Sequence, residues 1–284
     1  MRPVVRRIEE DAEALRELGS AVEEIARRAG RAILEVYERS DPERADHAGP
    51  TVVEKGDGSP LTEADRRSEA VIRDGLMGLE PDFLIVSEEG ERQPYAERAR
   101  HERAWLCDPL DGTKEFLRRN GEFCVCVALC VAGAPVLGLI HAPVDGRSHL
   151  AWRGAAGVHV RAAAGGEWAV LRKRQPLDGR AAGLRVCVSR SHLSPATEAY
   201  LAGFDAPRAV PLGSALKFCA IAEDRIDLYP RLAPTMEWDT AAGQCLVEVA
   251  GGEVLDAESG APLRYNKPAL VNPHFVARAP LVDA

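Results

Sequence analysis

The sequence has 284 residues, enough for one large domain or two domains of ordinary size. Its 36 basic and 44 acidic residues give a net charge of −8 without any long run of Lys or Arg, which argues against a duplex nucleic acid as a partner. Residues 1–11 lack the apolar core of a secretory signal, so we expect a cytoplasmic protein. Seven cysteines, none in a Cys-x-x-Cys pair, lie mostly in apolar runs, which favours small core residues over disulfides or a zinc site.

Helices are predicted to begin the fold. Apolar residues recur three or four positions apart over most of residues 8–36, the pattern of an amphipathic helix. A polar loop over residues 40–50, a short strand near Val52 and a Gly- and Pro-containing loop then precede a second helix, predicted over residues 63–79. Thr62 suits the N-cap of that helix, and Asp65 lies three positions later, where a carboxylate stabilises a helix N-terminus.

The middle of the chain predicts buried strands. Residues 83–87 form a strand that delivers Glu88 and Glu89 at its end, where an acidic pair can also be merely solvated, and residues 104–107 form the next strand. Residues 123–144 carry no formal charge and could pass for a membrane span. Because Gly133 and Pro135 interrupt them, we expect a hairpin of two buried strands, with no transmembrane segment.

Beyond residue 180 the pattern changes to alternating strands and helices. Strands are predicted over residues 184–188, 208–211 and 226–229, and Ser214 is expected to cap a helix over residues 215–223. A last helix opens at Trp238, so Asp239 lies at a helix N-terminus, where a simple N-cap is the alternative to a functional role. We therefore expect an α/β protein with one domain over residues 1–180 and another over residues 181–284.

The segment over residues 108–116 concentrates the residues suited to chemistry. Asp108, Asp111 and Thr113 surround Pro109 and Gly112, which predict that the chain leaves a strand and turns sharply, bringing both carboxylates together. Asp-Pro and Asp-Gly pairs are also ordinary turn residues, so this segment alone leaves both interpretations open.

Further acidic residues decide between them, since they too fall at element ends. Oxygen ligands without a His or Cys set select Mg²⁺, and two or more such ions can clamp the attacking and leaving oxygens of a phosphoryl transfer. The pattern predicts a magnesium-dependent phosphatase built on Glu88, Asp108, Asp111 and Asp239, with Asp65 and Thr113 as a carboxylate–hydroxyl pair.

Three separated motifs, at residues 86–90, 108–113 and 238–243, resemble those of the lithium-sensitive, magnesium-dependent inositol monophosphatase superfamily. Residues 58–65, 114–116, 189–192, 213–219 and 228–231 look like those of its 3′(2′),5′-bisphosphate nucleotidases of CysQ type. The resemblance implies an αβαβα sandwich that removes the 3′-phosphate of adenosine 3′,5′-bisphosphate, a by-product of sulfate activation, with the sulfated form as a further substrate. Inositol monophosphatase activity is the alternative. A nucleotide-binding protein without catalysis is disfavoured, because Asp65 and Thr113 are both present.

The resemblance also implies a role for each site residue. Two or three Mg²⁺ ions would be bound by Glu88, Asp108, Asp111, Asp239 and the carbonyl group of Leu110. Asp65 and Thr113 would polarise the attacking water, and the amides of Gly112 and Thr113 would hold the phosphate. The substrate would contact Glu88, Leu110, Asp111, Gly112, Thr113, Lys217, Arg231 and Asp239.

Lys217 and Arg231 are the predicted cations for the second phosphate of the nucleotide, although either could be a solvated surface residue. The chain departs from the resemblance at Cys124 and Cys126, where many relatives carry Thr and Asn, and at Ala215, which replaces a common second Ser. These departures bear on packing and on one polar contact to substrate. The resemblance is compatible with a monomer or homodimer and with peripheral association on the cytoplasmic side of the inner membrane, as for a few relatives.

Overall fold

The computed structural model describes residues 8–42, 52–54, 60–80, 82–162, 165–178, 183–188 and 195–282. The predicted loop over residues 55–59 and the motif at residues 189–192 lie outside them. A 3-10 turn, Ile8–Glu10, comes first. The helices are α1 Ala12–Arg39, α2 Glu63–Leu79, α3 Tyr95–Arg98, α4 Thr113–Leu117, α5 Pro195–Leu201, α6 Leu216–Ala222 and α7 Ala241–Val249. The strands are β1 Val52–Glu54, β2 Pro60–Thr62, β3 Leu84–Ser87, β4 Arg103–Asp111, β5 Cys124–Val131, β6 Ala134–Ala142, β7 Arg147–Trp152, β8 Val158–Arg161, β9 Ala169–Leu171, β10 Leu177–Asp178, β11 Arg185–Val188, β12 Arg208–Pro211, β13 Leu228–Arg231, β14 Glu253–Asp256, β15 Phe275–Arg278 and β16 Leu281–Val282.

The larger sheet has seven strands in the order β3-β4-β5-β6-β7-β8-β9 and is antiparallel except where β3 pairs with β4. Strand β5 is buried along its whole length because both faces of the sheet are covered. Val125 and Val127 face α1 and α2, whereas Cys124 and Cys126 face the opposite side, as the two-residue period of a strand requires. The predicted hairpin is confirmed as β5 and β6.

A second sheet has five strands in the order β12-β11-β13-β15-β14. Helices α6 and α7 fill the space between the two sheets, with Phe218 and Leu246 in the shared core. On the outer face of the second sheet, Tyr200 of α5 and Phe204 in the turn that follows it pack against Val186. The order of layers is therefore αβαβα, which confirms the expected class of fold.

Helix α7 lies unusually close to the backbone of β6. A Cβ atom added to Gly138 would lie 2.5 Å from the carbonyl oxygen of Ala242 and 2.7 Å from Cβ of Cys245. No side chain fits in that space, so the helix rests directly on the strand. This contact holds the N-terminal end of α7, and with it Asp239, beside the sheet that carries β4.

Three local predictions were wrong in detail. Strand β4 does not end at Asp108 but continues to Asp111, where the turn begins. Helix α6 begins at Leu216 and its N-cap residue is Ala215, one position later than predicted. Ser214 lies before the helix with a positive φ of 49°, but its Oγ still accepts a hydrogen bond from the N–H of Leu216 at 3.3 Å. Helix α7 has Thr240 as its N-cap, so Asp239 lies one residue before the cap position.

The boundary near residue 180 stays a prediction. The core between the sheets takes residues from both sides of it, including Cys126 and Phe275. In addition, β10 pairs with β16 at the C-terminal end of the chain. These contacts join the two parts of the chain through a continuous interior.

Candidate active site

A bulge in β4 sets the geometry of the predicted metal-binding segment. Asp108 pairs with Cys126 and Asp111 pairs with Cys124, so two residues of β4 stand opposite one residue of β5. Pro109 lies in the bulge, where its missing N–H costs no sheet hydrogen bond. Residues three apart in a regular strand point to opposite faces, and the extra residue brings Asp108 and Asp111 to the same face.

Gly112 makes the turn that follows the strand. Its φ of +97° is a left-handed conformation, and an added Cβ would lie 3.0 Å from the carbonyl oxygen of Glu122 and 3.1 Å from Cβ of Ser214. Helix α4 starts at the next residue, Thr113. The sharp turn predicted from the sequence therefore exists, but it lies at Gly112.

Three of the predicted acidic residues meet at one point. Carboxylate oxygens of Glu88, Asp108 and Asp239 lie within 4.8 Å of one another. They come from the end of β3, from β4 and from the segment before α7, and Asp108 is only 2% exposed. The N–H of Met236 donates to Oδ2 of Asp239 at 2.9 Å and orients this carboxylate. This hydrogen bond comes from a residue before Asp239 and not from an N–H of helix α7.

The electrostatics of this carboxylate cluster favour a bound cation. Burial raises the pKa of Asp108 well above its ordinary value, and the charges of Glu88, Asp111 and Asp239 raise it further. Burial and the charge of Asp111 likewise raise the pKa of Asp239. A divalent cation would remove this repulsion, and every donor in the cluster is a hard oxygen atom. The residues present therefore fit Mg²⁺.

Asp111 lies beside the cluster in a partly different environment. Burial raises its pKa to about 6, although Lys217 and the N–H of Ala215 act in the opposite direction. Its Oδ2 accepts a hydrogen bond from that N–H and lies 3.8 Å from Sγ of Cys124. Since the Ala215 contact is made by the backbone, the replacement of a serine at this position does not remove it.

Asp65 and Thr113 do lie together, although 48 residues separate them in sequence. Oγ1 of Thr113 is 3.3 Å from Oδ1 of Asp65 and 3.3 Å from the carbonyl oxygen of Leu110. The other oxygen of Asp65 accepts from the N–H of Thr62 at 2.7 Å and completes a capping box at the start of α2. Asp65 thus both caps a helix and reaches the hydroxyl, so its two interpretations do not exclude each other.

A cavity of about 490 Å³ opens beside these residues. Asp111, Gly112 and Asp239 line it, together with the two predicted cations, Lys217 and Arg231. The cavity therefore joins residues from both halves of the chain.

The two predicted cations differ in setting. Nζ of Lys217 donates to the carbonyl oxygen of Ser214 at 2.9 Å and lies 5.2 Å from the ring centre of Tyr229. Burial acts to lower the pKa of Lys217, but Tyr229 and Asp111 outweigh it, so the pKa is raised and the ammonium stays charged. Nε of Arg231 donates to Thr235 at 2.8 Å. Neither side chain is simply a solvated surface residue.

The sequence interpretation missed other residues of the cavity wall. Lys114 and Arg118 lie on it, as do Tyr229 and Glu115. Lys114 and Arg118 are four positions apart, the spacing of one helix face, and this was the available signal in the sequence. Tyr229 lies in the segment 228–231 noted for its resemblance, but it was given no role, because its place on the cavity wall depends on the second sheet.

Comparisons with known proteins agree with this architecture. The model of the inositol monophosphatase family matches residues 14–280. The chain belongs to that family.

Among its relatives, the chain is 41% identical to the 3′(2′),5′-bisphosphate nucleotidase CysQ of Escherichia coli K12 over 253 residues, 89% of this chain and 96% of the relative. It is 34% identical to the protein of the same name from Buchnera aphidicola, over 90% of this chain and 91% of the relative. The crystal structure of CysQ from Bacteroides thetaiotaomicron is similar with a TM-score of 0.76 and 39% identity, over 93% of this chain and 97% of that one.

None of the helices in the described ranges is long and apolar enough to cross a membrane. The uncharged stretch over residues 123–144 that raised this question is the β5–β6 hairpin.

Proposed function

We propose that this protein is a magnesium-dependent phosphatase that hydrolyses the 3′-phosphate of adenosine 3′,5′-bisphosphate, giving AMP and inorganic phosphate. The observation that carries the proposal is the cluster of Glu88, Asp108 and Asp239 next to a cation-lined cavity whose wall includes Asp239, together with the Asp65–Thr113 pair. The similarity to bisphosphate nucleotidases over most of the chain supports the choice of substrate. The cytoplasmic location and the monomeric or dimeric state expected from the sequence stay predictions.

The metal ligands in this proposal are Glu88, Asp108, Asp111, Asp239 and the carbonyl oxygen of Leu110, for two or three Mg²⁺ ions. When bound, Mg²⁺ would neutralise phosphate charge and make a neighbouring water more acidic. The backbone of β4 aids this arrangement, because the N–H of Leu110 donates to Oδ1 of Asp108 at 3.0 Å and orients that carboxylate.

The attacking water would be aimed by Thr113. When the hydroxyl of Thr113 donates its proton to Oδ1 of Asp65, its lone pairs are left to accept a hydrogen bond from water. The negative charge of Asp65 strengthens this interaction as the water loses its proton. The N–H groups of Gly112 and Thr113, at the start of α4, would hold the phosphate in line with the attack.

The side chains that line the cavity would select a nucleoside bisphosphate as the substrate. Lys114, Arg118, Lys217 and Arg231 place four cationic groups on a space whose volume is ordinary for a small-molecule site. A second phosphate needs such charges, whereas an inositol ring does not. Tyr229 adds an aromatic side chain to the same wall.

A phosphate-release screen with Mg²⁺ tests this proposal. The substrates are adenosine 3′,5′-bisphosphate, its sulfated form, inositol 1-phosphate and fructose 1,6-bisphosphate. We expect the highest kcat/KM for the adenosine bisphosphate. A preference for inositol 1-phosphate would favour the alternative activity of the family, and no hydrolysis of any of the four esters would overturn the phosphatase assignment.

A further inference from the structure

A second group of potential metal ligands lies next to the carboxylate cluster. Cys124 and Cys126 are two residues apart on β5, so both side chains point to the face that carries Asp111 on the neighbouring strand. Sγ of Cys124 is 3.8 Å from Sγ of Cys126 and 3.8 Å from Oδ2 of Asp111. A ligand atom from each of the three residues lies within 4.8 Å of the other two. We call these three residues the thiol site.

The spacing of the thiol site matches that of zinc ligands. With Zn–S bonds of about 2.3 Å and a tetrahedral angle, two ligating sulfurs lie about 3.8 Å apart. With a Zn–O bond of about 2.0 Å, sulfur and carboxylate oxygen lie about 3.5 Å apart. The two distances from Sγ of Cys124, both 3.8 Å, lie within a few tenths of an ångström of these values. The third pair, Sγ of Cys126 and the carboxylate of Asp111, lies within 4.8 Å and would have to close toward about 3.5 Å.

We propose that Asp111, Cys124 and Cys126 form a binding site for a thiophilic divalent cation, with Zn²⁺ as the reference ion, distinct from the magnesium cluster but sharing Asp111 with it. Soft thiolate ligands select such cations, whereas Mg²⁺ prefers an all-oxygen set. On binding, each thiol releases its proton to solvent and coordinates as a thiolate. The resulting site carries one negative charge in excess, and Lys217 interacts electrostatically with Asp111 at its edge.

The surroundings of the thiol site support ligand binding. The N–H of Ala215 donates to Oδ2 of Asp111 and so holds the carboxylate while a lone pair remains for a cation. Oγ of Ser214 lies 3.5 Å from Sγ of Cys124. Asp111, Ser214 and Ala215 also line the cavity, whereas both thiols are buried behind them, so a cation would reach the site past these three residues.

Occupation of the thiol site should inhibit the enzyme, and this part rests on the proposed function. Asp111 cannot bind fully to both metals, because its Oδ2 lies 3.8 Å from Sγ of Cys124 while the proposed magnesium centre needs the same carboxylate charge. Zinc bound between Asp111 and the cysteines would therefore lower turnover even when Mg²⁺ is in large excess. The cysteines would make the enzyme sensitive to free thiophilic metals.

Binding is tested without any assay of turnover, by titrating the purified protein with Co²⁺ as a spectroscopic substitute for Zn²⁺. Thiolate ligation gives a near-ultraviolet charge-transfer band that carboxylate ligation does not give. Cobalt bound at the carboxylate cluster therefore produces no such band. We expect one such band at one equivalent, abolished by Zn²⁺ and not by Mg²⁺. The double variant C124S/C126S should lose it and bind Zn²⁺ at least about 100-fold more weakly, because both soft ligands are gone.

Cys130→Ala is the matched control, since Cys130 is a buried thiol on the same strand and the same face but outside the thiol site. It should keep the full band. No band in the wild-type protein, or an unchanged band in C124S/C126S, would overturn the site. If the double variant does not fold, C126S alone decides: the band should fall to about half, and an unchanged band contradicts the proposal.

Inhibition is tested by adding Zn²⁺ to the phosphate-release assay with saturating Mg²⁺. The C124S/C126S variant should need at least about 10-fold more Zn²⁺ for half-inhibition than the wild-type and C130A proteins. Equal sensitivity of all three would refute the inhibitory role. A protein that hydrolyses none of the phosphate esters but still gives the cobalt band would refute the phosphatase proposal and leave the thiol site standing, so the two failures are distinguishable.

Discussion

Thr113→Val separates chemistry from folding at the proposed water-activating pair. Valine keeps the branched shape of threonine but removes Oγ1, which lies 3.3 Å from both Oδ1 of Asp65 and the carbonyl oxygen of Leu110. The loss of one such hydrogen bond should lower the free energy of unfolding by about 1 kcal/mol. If the hydroxyl aims the attacking water, kcat should fall about 10²–10⁴-fold, equivalent to about 3–5 kcal/mol in the activation barrier.

Asp65→Asn should act differently, because the two oxygens of Asp65 have different tasks. Oδ1 faces Thr113, whereas Oδ2 closes the capping box with the backbone and hydroxyl of Thr62. We expect a similar fall in kcat and, in addition, a stability loss of about 0.5–2 kcal/mol from the weakened cap. Combining both substitutions should cost little more in kcat than either alone, since the two residues act as a unit.

The assay measures kcat and KM for adenosine 3′,5′-bisphosphate at saturating Mg²⁺, with urea unfolding of each variant alongside. Thr113→Ser is the control, because it restores the hydroxyl and should recover most of the turnover. A rise in KM with wild-type kcat would refute the role of the pair in chemistry. Fully additive losses in the double variant would show that Asp65 and Thr113 do not act together.

Three other predictions concern the cation, the substrate and pH. Asp111→Asn should keep the far-ultraviolet circular dichroism spectrum but lose most Mg²⁺-dependent turnover, and wild-type turnover would disprove the metal assignment. Lys217→Ala should raise KM for adenosine 3′,5′-bisphosphate far more than for inositol 1-phosphate; equal effects on both would contradict its assignment to the second phosphate. Burial of Asp227 acts to raise its pKa, but hydrogen bonds from Arg185 and Arg174 bring it to about 2, below its ordinary 3.8. The ionised Asp227 should therefore add about 2 kcal/mol to the free energy of unfolding above pH 4, and this contribution should be lost between about pH 4 and pH 2. Urea unfolding of Asp227→Asn over the same pH range should not show that loss.

Elements with a strong local pattern could be predicted from the sequence. Helix α2 spans the expected residues 63–79, and the uncharged stretch forms the expected hairpin, because periodicity and turn residues act over short distances. The acidic residues that meet at the candidate site, Glu88, Asp108 and Asp239, could also be named in advance, since carboxylates at the ends of elements stand out against an apolar background.

Features that depend on distant contacts could not be predicted. The continuation of β4 through Pro109 requires pairing with β5, on which a bulge can form, and although the local pattern predicts β5 as a strand it does not show that β5 pairs with β4. The use of the Ala215 backbone by Asp111, 104 residues away, likewise arises only when the two sheets pack around α6 and α7. The sequence pattern favoured inert core cysteines, and all seven are buried, but it did not show that two of them face Asp111.

The position of Asp239 in the chain has a consequence for how the protein is made. During synthesis, Glu88 and Asp108 leave the ribosome long before Asp239, and α7 can dock on Gly138 only after residue 249 has emerged. A nascent N-terminal layer therefore carries Glu88, Asp108 and Asp111 without Asp239 or the helix that follows it. If the proposed site binds Mg²⁺, ribosome-bound fragments ending before residue 239 should gain less stability from magnesium than the full chain, because they lack one of the proposed ligands.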